Sequence, residues 1–107
     1  MRQVIVRYKV KPDRVEENEA LVRAVYEELD RTGPAGLHYA TFRQADGVSF
    51  VHISLTEVGG DARHPLSDVE AFARFQEAIG ERCDEPPVVT ELEEIGSYRM
   101  HSEPAVR

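Results

Sequence analysis

Two β-like segments flank Asp46-Gly47 between Leu37 and Thr56, and this stretch constrains the fold more than any other. An Asp-Gly pair suits a two-residue type I′ turn, whose central positions both need positive φ. A hairpin centred there pairs Phe42 with Val51, Ala40 with Ile53 and His38 with Leu55. Alternation then sorts Phe42, Val51 and Ile53 onto an apolar face. Tyr39, Thr41, Arg43, Phe50, His52 and Ser54 share the opposite, aromatic and polar face. Burying an unpaired Arg beneath apolar helix stripes costs several kcal/mol. The expectation is therefore that Phe42, Val51 and Ile53 meet the helices, while His52, Arg43, Thr41 and Tyr39 point away from them.

The flanking segments supply those helices. Gln3 to Val10 alternates as a half-buried strand with Val4, Val6, Tyr8 and Val10 on one side. Lys11-Pro12 ends it, and Asp13 with Glu16 three residues later has the spacing of a capping box. Val15, Val22, Val25 and Leu29 then recur at helical spacing, and Gly33-Pro34 stops the helix. Glu57 to Leu66 matches neither period and reads as a loop. Ser67-Asp68-Val69-Glu70 is a second capping-box spacing, followed by Val69, Phe72, Phe75, Gln76 and Ile79 on one helical face. Pro86-Pro87 forbids further helix, and Val88 to Tyr98 is expected as the last strand, at an edge or with a bulge.

Strand, helix, strand, strand, helix, strand implies an α+β, ferredoxin-like βαββαβ fold, with a four-stranded antiparallel sheet and both helices on one face. Residues 1–99 are expected to form one domain, and 100–107 a mobile tail without periodicity. With Phe50, Tyr39 and Ile5 assigned to the uncovered sheet face, a second copy is the expected cover, giving a homodimer. The 107 residues carry a net charge of −7 with scattered basic side chains, which disfavours nucleic acid and anionic membrane surfaces. No apolar run approaches a span, and Met1-Arg2 leads directly into strand pattern rather than a secretory leader, so a cytoplasmic protein is expected. Cys83, the single cysteine, reads as a free thiol near a helix end.

Arg7-Tyr8-Lys9-Val10-Lys11-Pro12 before the first helix, Asp46-Gly47-Val48-Ser49-Phe50-Val51-His52 in the hairpin and Ala71-Phe72-Ala73-Arg74-Phe75 in the second helix resemble the dimeric α+β barrel superfamily. The likeness spans nearly the whole chain and is to antibiotic-biosynthesis-monooxygenase-like domains in particular. It implies that two sheets pair into a dimeric α+β barrel, with a pocket between sheet and helices or within the barrel. It also implies activities that include cofactor-independent oxygenation of polycyclic phenols and haem degradation. The Trp on which both branches lean has no counterpart here, and Arg7 stands where the haem-degrading branch has an Asn.

Within that frame His52 is the candidate catalytic residue, since a neutral imidazole can take a proton from a phenol. A single His on a strand beside Thr41 is, however, more often a hydrogen-bonded packing residue. Arg7 and Arg43 are candidate ligand-binding residues for a phenolate or carboxylate, or else partners of Glu91 or Glu93. Tyr39, Thr41 and Phe50 complete the candidate binding set; Tyr39 and Tyr98 can each donate to a ligand oxygen. Phe72 and Phe75 read as core. Asp61, His64 and Asp68 are too loosely spaced for a metal site. With no phosphate loop, nucleophile elbow or dinucleotide fingerprint, no cofactor is expected. The function expected is binding of a small aromatic or polyketide-like molecule, with cofactor-independent monooxygenation or a non-enzymatic role as the two outcomes.

Overall fold

The computed structural model describes residues 2–57 and 64–100. Strand β1 (Arg2–Val10) leads through a 3-10 turn at Pro12–Arg14 into helix α1 (Val15–Thr32). The 3-10 turn replaces the capping box expected at Asp13: α1 begins two residues later, and Arg14 ahead of it offers no side-chain cap. Gly33 ends α1 in the left-handed region at φ 56°, its amide donating to the Leu29 carbonyl at 2.7 Å, as the Gly-Pro signal predicts.

Strands β2 (Leu37–Arg43) and β3 (Ser49–Thr56) form the hairpin, with Phe42 opposite Val51, Ala40 opposite Ile53 and His38 opposite Leu55. The register is the expected one, but the turn is not type I′. Gly47 lies at φ 81°, whereas Asp46 is absent from the non-Gly residues at positive φ. Gln44 and Ser49 are still joined by a backbone hydrogen bond of 2.8 Å, and the four residues 45–48 between them make the turn. The Asp46 carboxylate organises them, accepting from the amides of Val48 and Ser49 at 3.0 and 2.9 Å and from the Ser49 hydroxyl at 2.6 Å. Those hydrogen bonds, the hydroxyl first, hold its carboxyl below the ordinary aspartate range.

After a 3-10 turn at Pro65–Asp68 come two short helices, α2 (Glu70–Gln76) and α3 (Ile79–Arg82), where one longer helix was expected. Ala78 separates them at φ 57°. Ser67 does not cap α2; Val69 precedes the helix without a side-chain cap. Strand β4 runs from Cys83 to Leu92, starting five residues before the expected strand and ending well short of Tyr98. Pro86 and Pro87 fit within it because β4 lies at the edge of the sheet, where a missing amide hydrogen interrupts no ladder on the outer side. Register shifts near Lys9 mark the expected irregularity in its pairing with β1.

The sheet order is β2-β3-β1-β4, every neighbour antiparallel, with the helices over one face. The core joins Tyr8 and Val10 of β1, Val22 and Val25 of α1, Phe50 of β3, and Leu66, Val69 and Phe75. This reverses the expected assignment of faces. Phe50, His52 and Tyr39 lie beneath the helices, while Phe42 is 54% exposed on the far side with Val51 and Ile53. Among the described residues, no helix is long and apolar enough to cross a membrane. The residues at 101–107 and Asp61 lie outside the described residues.

Candidate functional site

Strand alternation places Tyr8 of β1, Tyr39 and Thr41 of β2 and His52 of β3 on the same side of three adjacent strands. Their polar ends converge on the imidazole. Tyr8 Oη lies 2.7 Å from His52 Nε2; Tyr39 Oη and Thr41 Oγ1 lie 2.8 and 3.1 Å from Nδ1. Thr41 Oγ1 continues to Tyr26 Oη on α1 at 2.7 Å, and Asn18 Nδ2 donates to Tyr8 Oη at 3.0 Å. Aromatic rings seal the cluster: Phe75 lies 5.2 Å from the imidazole, Phe50 stacks on Tyr8 at 5.6 Å, and Tyr26 stacks on Tyr39 at 5.4 Å.

His52 is only 4% exposed. Burial disfavours its charged form and pushes its pKa down to about 4, so the imidazole is neutral at pH 7. Burial also pushes Tyr8 and Tyr39 above the ordinary tyrosine range, leaving both as neutral phenols. For Tyr8 the hydrogen bond from Asn18 opposes that shift.

These groups form the floor of a half-open cavity of about 600 Å³ between the sheet and the α2 side of the molecule. Tyr8, Tyr39 and His52 supply its polar floor; Val6, Phe72 and Phe75 are among its apolar walls. Such a volume, mostly apolar with a few convergent polar groups, is that of a small-molecule pocket.

Neither a protein-family model nor a curated protein matches the chain. Solved structures do. An antibiotic biosynthesis monooxygenase superposes with a TM-score of 0.67 at 24% identity, over 90% of this chain and 100% of its own. Rv0793 from Mycobacterium tuberculosis gives 0.65 at 22%, covering 90% and 96%. PA3566 from Pseudomonas aeruginosa gives 0.67 at 22%, covering 89% and 94%. The chain has the antibiotic-biosynthesis-monooxygenase-like fold.

Within this monooxygenase-like fold, the predicted site residues divide. His52, Tyr39, Thr41 and Phe50 come together under the helices, with His52 and Tyr39 on the cavity itself. The two arginines do not join them. Arg7 is exposed, its neighbours in the sheet being Val51 and Val88 on the far face. Arg43 sits at the exposed end of β2 and pairs with Glu19 of α1, while Glu91 pairs with Arg2 instead of either candidate. His64 borders the cavity with both ring nitrogens engaged, Nδ1 by the Leu66 amide and Nε2 by Thr56.

Tyr8, Asn18, Tyr26 and Arg82 belong to the network and were not among the predicted residues. One signal was present for Asn18: it falls in the stripe of Val15, Val22, Val25 and Leu29, a polar residue on a face that should be apolar. Arg82 carries no comparable signal. It is 2% exposed, donating to Asn18 Oδ1 at 3.3 Å and to the carbonyls of Glu77 and Phe75 at 3.1 and 2.6 Å.

Proposed function

We propose that this protein binds a small aromatic or polyketide-like molecule in the cavity between sheet and helices. The observation that carries the reading is a roughly 600 Å³ cavity with apolar walls, on whose floor a neutral imidazole holds two phenol hydroxyls. Flat apolar walls take ring faces; Tyr8 and Tyr39 take a ring substituent bearing oxygen. Calorimetric titration with 1-naphthol and 1-tetralone tests this. Saturable binding, weakened when Ala73→Phe fills the cavity wall, is the expected result; heats that ignore that substitution would overturn the reading.

A second reading, cofactor-independent monooxygenation, is favoured by the name of one similar structure, an antibiotic biosynthesis monooxygenase. An anthrone-like methylene would give up two hydrogens and gain one oxygen atom of O2, the other leaving as water. His52 contributes as a relay: Nε2 receives a proton from the Tyr8 side as Nδ1 releases one toward Tyr39. Such a relay never stores charge on the imidazole, so a pKa of about 4 does not impede it. Anthrone-dependent oxygen uptake, without added metal or flavin and abolished in His52→Gln, is the expected signature. Binding without uptake would leave a ligand-binding protein.

The same reading includes a homodimer. Ile5, Val51, Ile53 and Phe42 form an apolar patch on the far sheet face, and a two-fold pairing covers it twice over.

A further inference from the structure

We propose that Asn18, oriented by Arg82, is a positioning residue that fixes the direction of the hydrogen bonds through Tyr8 and His52, so that the cavity floor offers the Tyr39 hydroxyl as a donor and selects a ligand with a carbonyl oxygen. The proposal rests on the binding reading above and names the ligand class of that site.

The direction follows from chemistry at each step. A guanidinium has no acceptor, so Arg82 Nε can only donate to Asn18, at 3.3 Å. That assigns Oδ1 to Arg82 and turns Nδ2 toward Tyr8 Oη, 3.0 Å away. The Tyr8 oxygen therefore accepts, and its own hydrogen needs a partner, since Tyr8 is 4% exposed. His52 Nε2 at 2.7 Å is that partner. A neutral imidazole accepting at Nε2 carries its hydrogen on Nδ1, which donates toward Tyr39 Oη at 2.8 Å and Thr41 Oγ1 at 3.1 Å.

Tyr39 Oη and Thr41 Oγ1 thus share the Nδ1 hydrogen as acceptors, and Thr41 shares a further hydrogen bond with Tyr26 at 2.7 Å. Tyr39 keeps its own hydrogen, and of these three hydroxyls it is the one that lines the cavity. A ligand carbonyl draws that hydrogen to itself without breaking a bond in the protein. A ligand hydroxyl seeking an acceptor finds the Tyr8 and Tyr39 oxygens already accepting, from Asn18 and from His52. Asn18 does not line the cavity and acts only through Tyr8.

Long-range proton–nitrogen NMR of histidine-labelled full-length protein reads the tautomer directly, with His52 assigned through its ring contacts to Tyr8 and Phe75. The expected wild-type form is Nδ1–H. In Asn18→Asp the carboxylate still accepts from Arg82 but now also accepts from Tyr8, whose oxygen turns to accept from His52; the expected form is Nε2–H. A loss of packing alone would not exchange one tautomer for the other. Nε2–H in the wild type, or Nδ1–H persisting in Asn18→Asp, overturns the proposal. If Asn18→Asp does not fold, the wild-type tautomer decides alone. A paired titration completes the test: 1-tetralone should bind roughly five- to tenfold more tightly than 1-tetralol, and Asn18→Asp should reduce that ratio. Equal affinities would overturn the ligand class while leaving the binding reading intact; failure of both ligands to bind would overturn the binding reading, with the tautomer result unaffected.

Discussion

Glu28, near the end of α1, accepts the backbone amide of Ala71 at 2.9 Å and that of Glu70 at 3.1 Å, and so caps the start of α2 from a different helix. Val69 offers no cap of its own there. The Ala71 amide, then burial in the opposite sense, then the Glu70 amide set the Glu28 carboxyl below the ordinary glutamate range. Since α2 carries Phe72, Ala73 and Phe75 of the cavity wall, this contact also holds the cavity in shape.

The first prediction is that Glu28→Ala speeds hydrogen exchange of the α2 amides and lowers the melting temperature. The sign with pH is set by the depressed pKa: the contribution is present above the unfolded-state value and is lost as pH falls through the folded one. The melting difference between wild type and Glu28→Ala should therefore be full at pH 7 and shrink on acidification below the ordinary glutamate range. A difference that grows in acid would refute the cap.

His52 gives the second prediction. Its pKa falls from roughly 6.5 when unfolded to about 4 when folded, so the unfolded chain binds a proton first. Stability from a buried neutral imidazole is complete above pH 6.5 and drains away as pH drops toward 4, by about 3 kcal/mol in all. Urea unfolding across that range should show a steeper acid loss for wild type than for His52→Gln. Parallel curves would mean the imidazole is hydrated.

Gly47 supplies the third. At φ 81° with no atom within 4 Å of an added Cβ, a side chain there meets strain in the backbone alone. Gly47→Val should cost about 1–2 kcal/mol, and Gly47→Asn distinctly less. Thermal melts should place the Val variant about 4 °C or more below wild type. Equal loss for Asn and Val would point to some cause other than φ.

The strand register was legible because a turn signal and alternation specify it together: Ala40 opposite Ile53 needs no knowledge of the rest of the chain. Which face meets the helices was not, and the reason lies in the cost assigned to burial. Arg43 at the end of β2 escapes burial by reaching Glu19, so its charge never enters the core. His52 is buried neutral with both nitrogens bonded, which removes the penalty of an unpaired polar group. Tyr8, which supplies one of those bonds, comes from β1, far from β3 in the sequence. Pairing across that distance is invisible to local periodicity. Pro86 and Pro87 do lie beyond the helix, as expected, but the strand starts ahead of them at Cys83, since an edge strand tolerates their missing amide hydrogens.

The last prediction concerns the far face of the sheet. Ile53 lies at its centre, opposite Ile5 on one side and Ala40 on the other, with Val51 and the exposed Phe42 beside it. Among the described residues no helix covers this patch, since α1 and Phe75 of α2 pack on the Tyr8 and Phe50 side. In a single chain, Glu at position 53 would simply project into water. In a sheet-on-sheet pair it would bring two carboxylates into a desolvated seam, where unpaired charge costs several kcal/mol. Sedimentation should therefore give about twice the 12.1 kDa chain mass for wild type and the single mass for Ile53→Glu, with unchanged circular dichroism. A wild type that sediments as one chain at micromolar concentration would sink the dimer and leave the cavity argument standing, because Tyr8, Tyr39 and His52 of the cavity floor lie on the opposite face of the sheet.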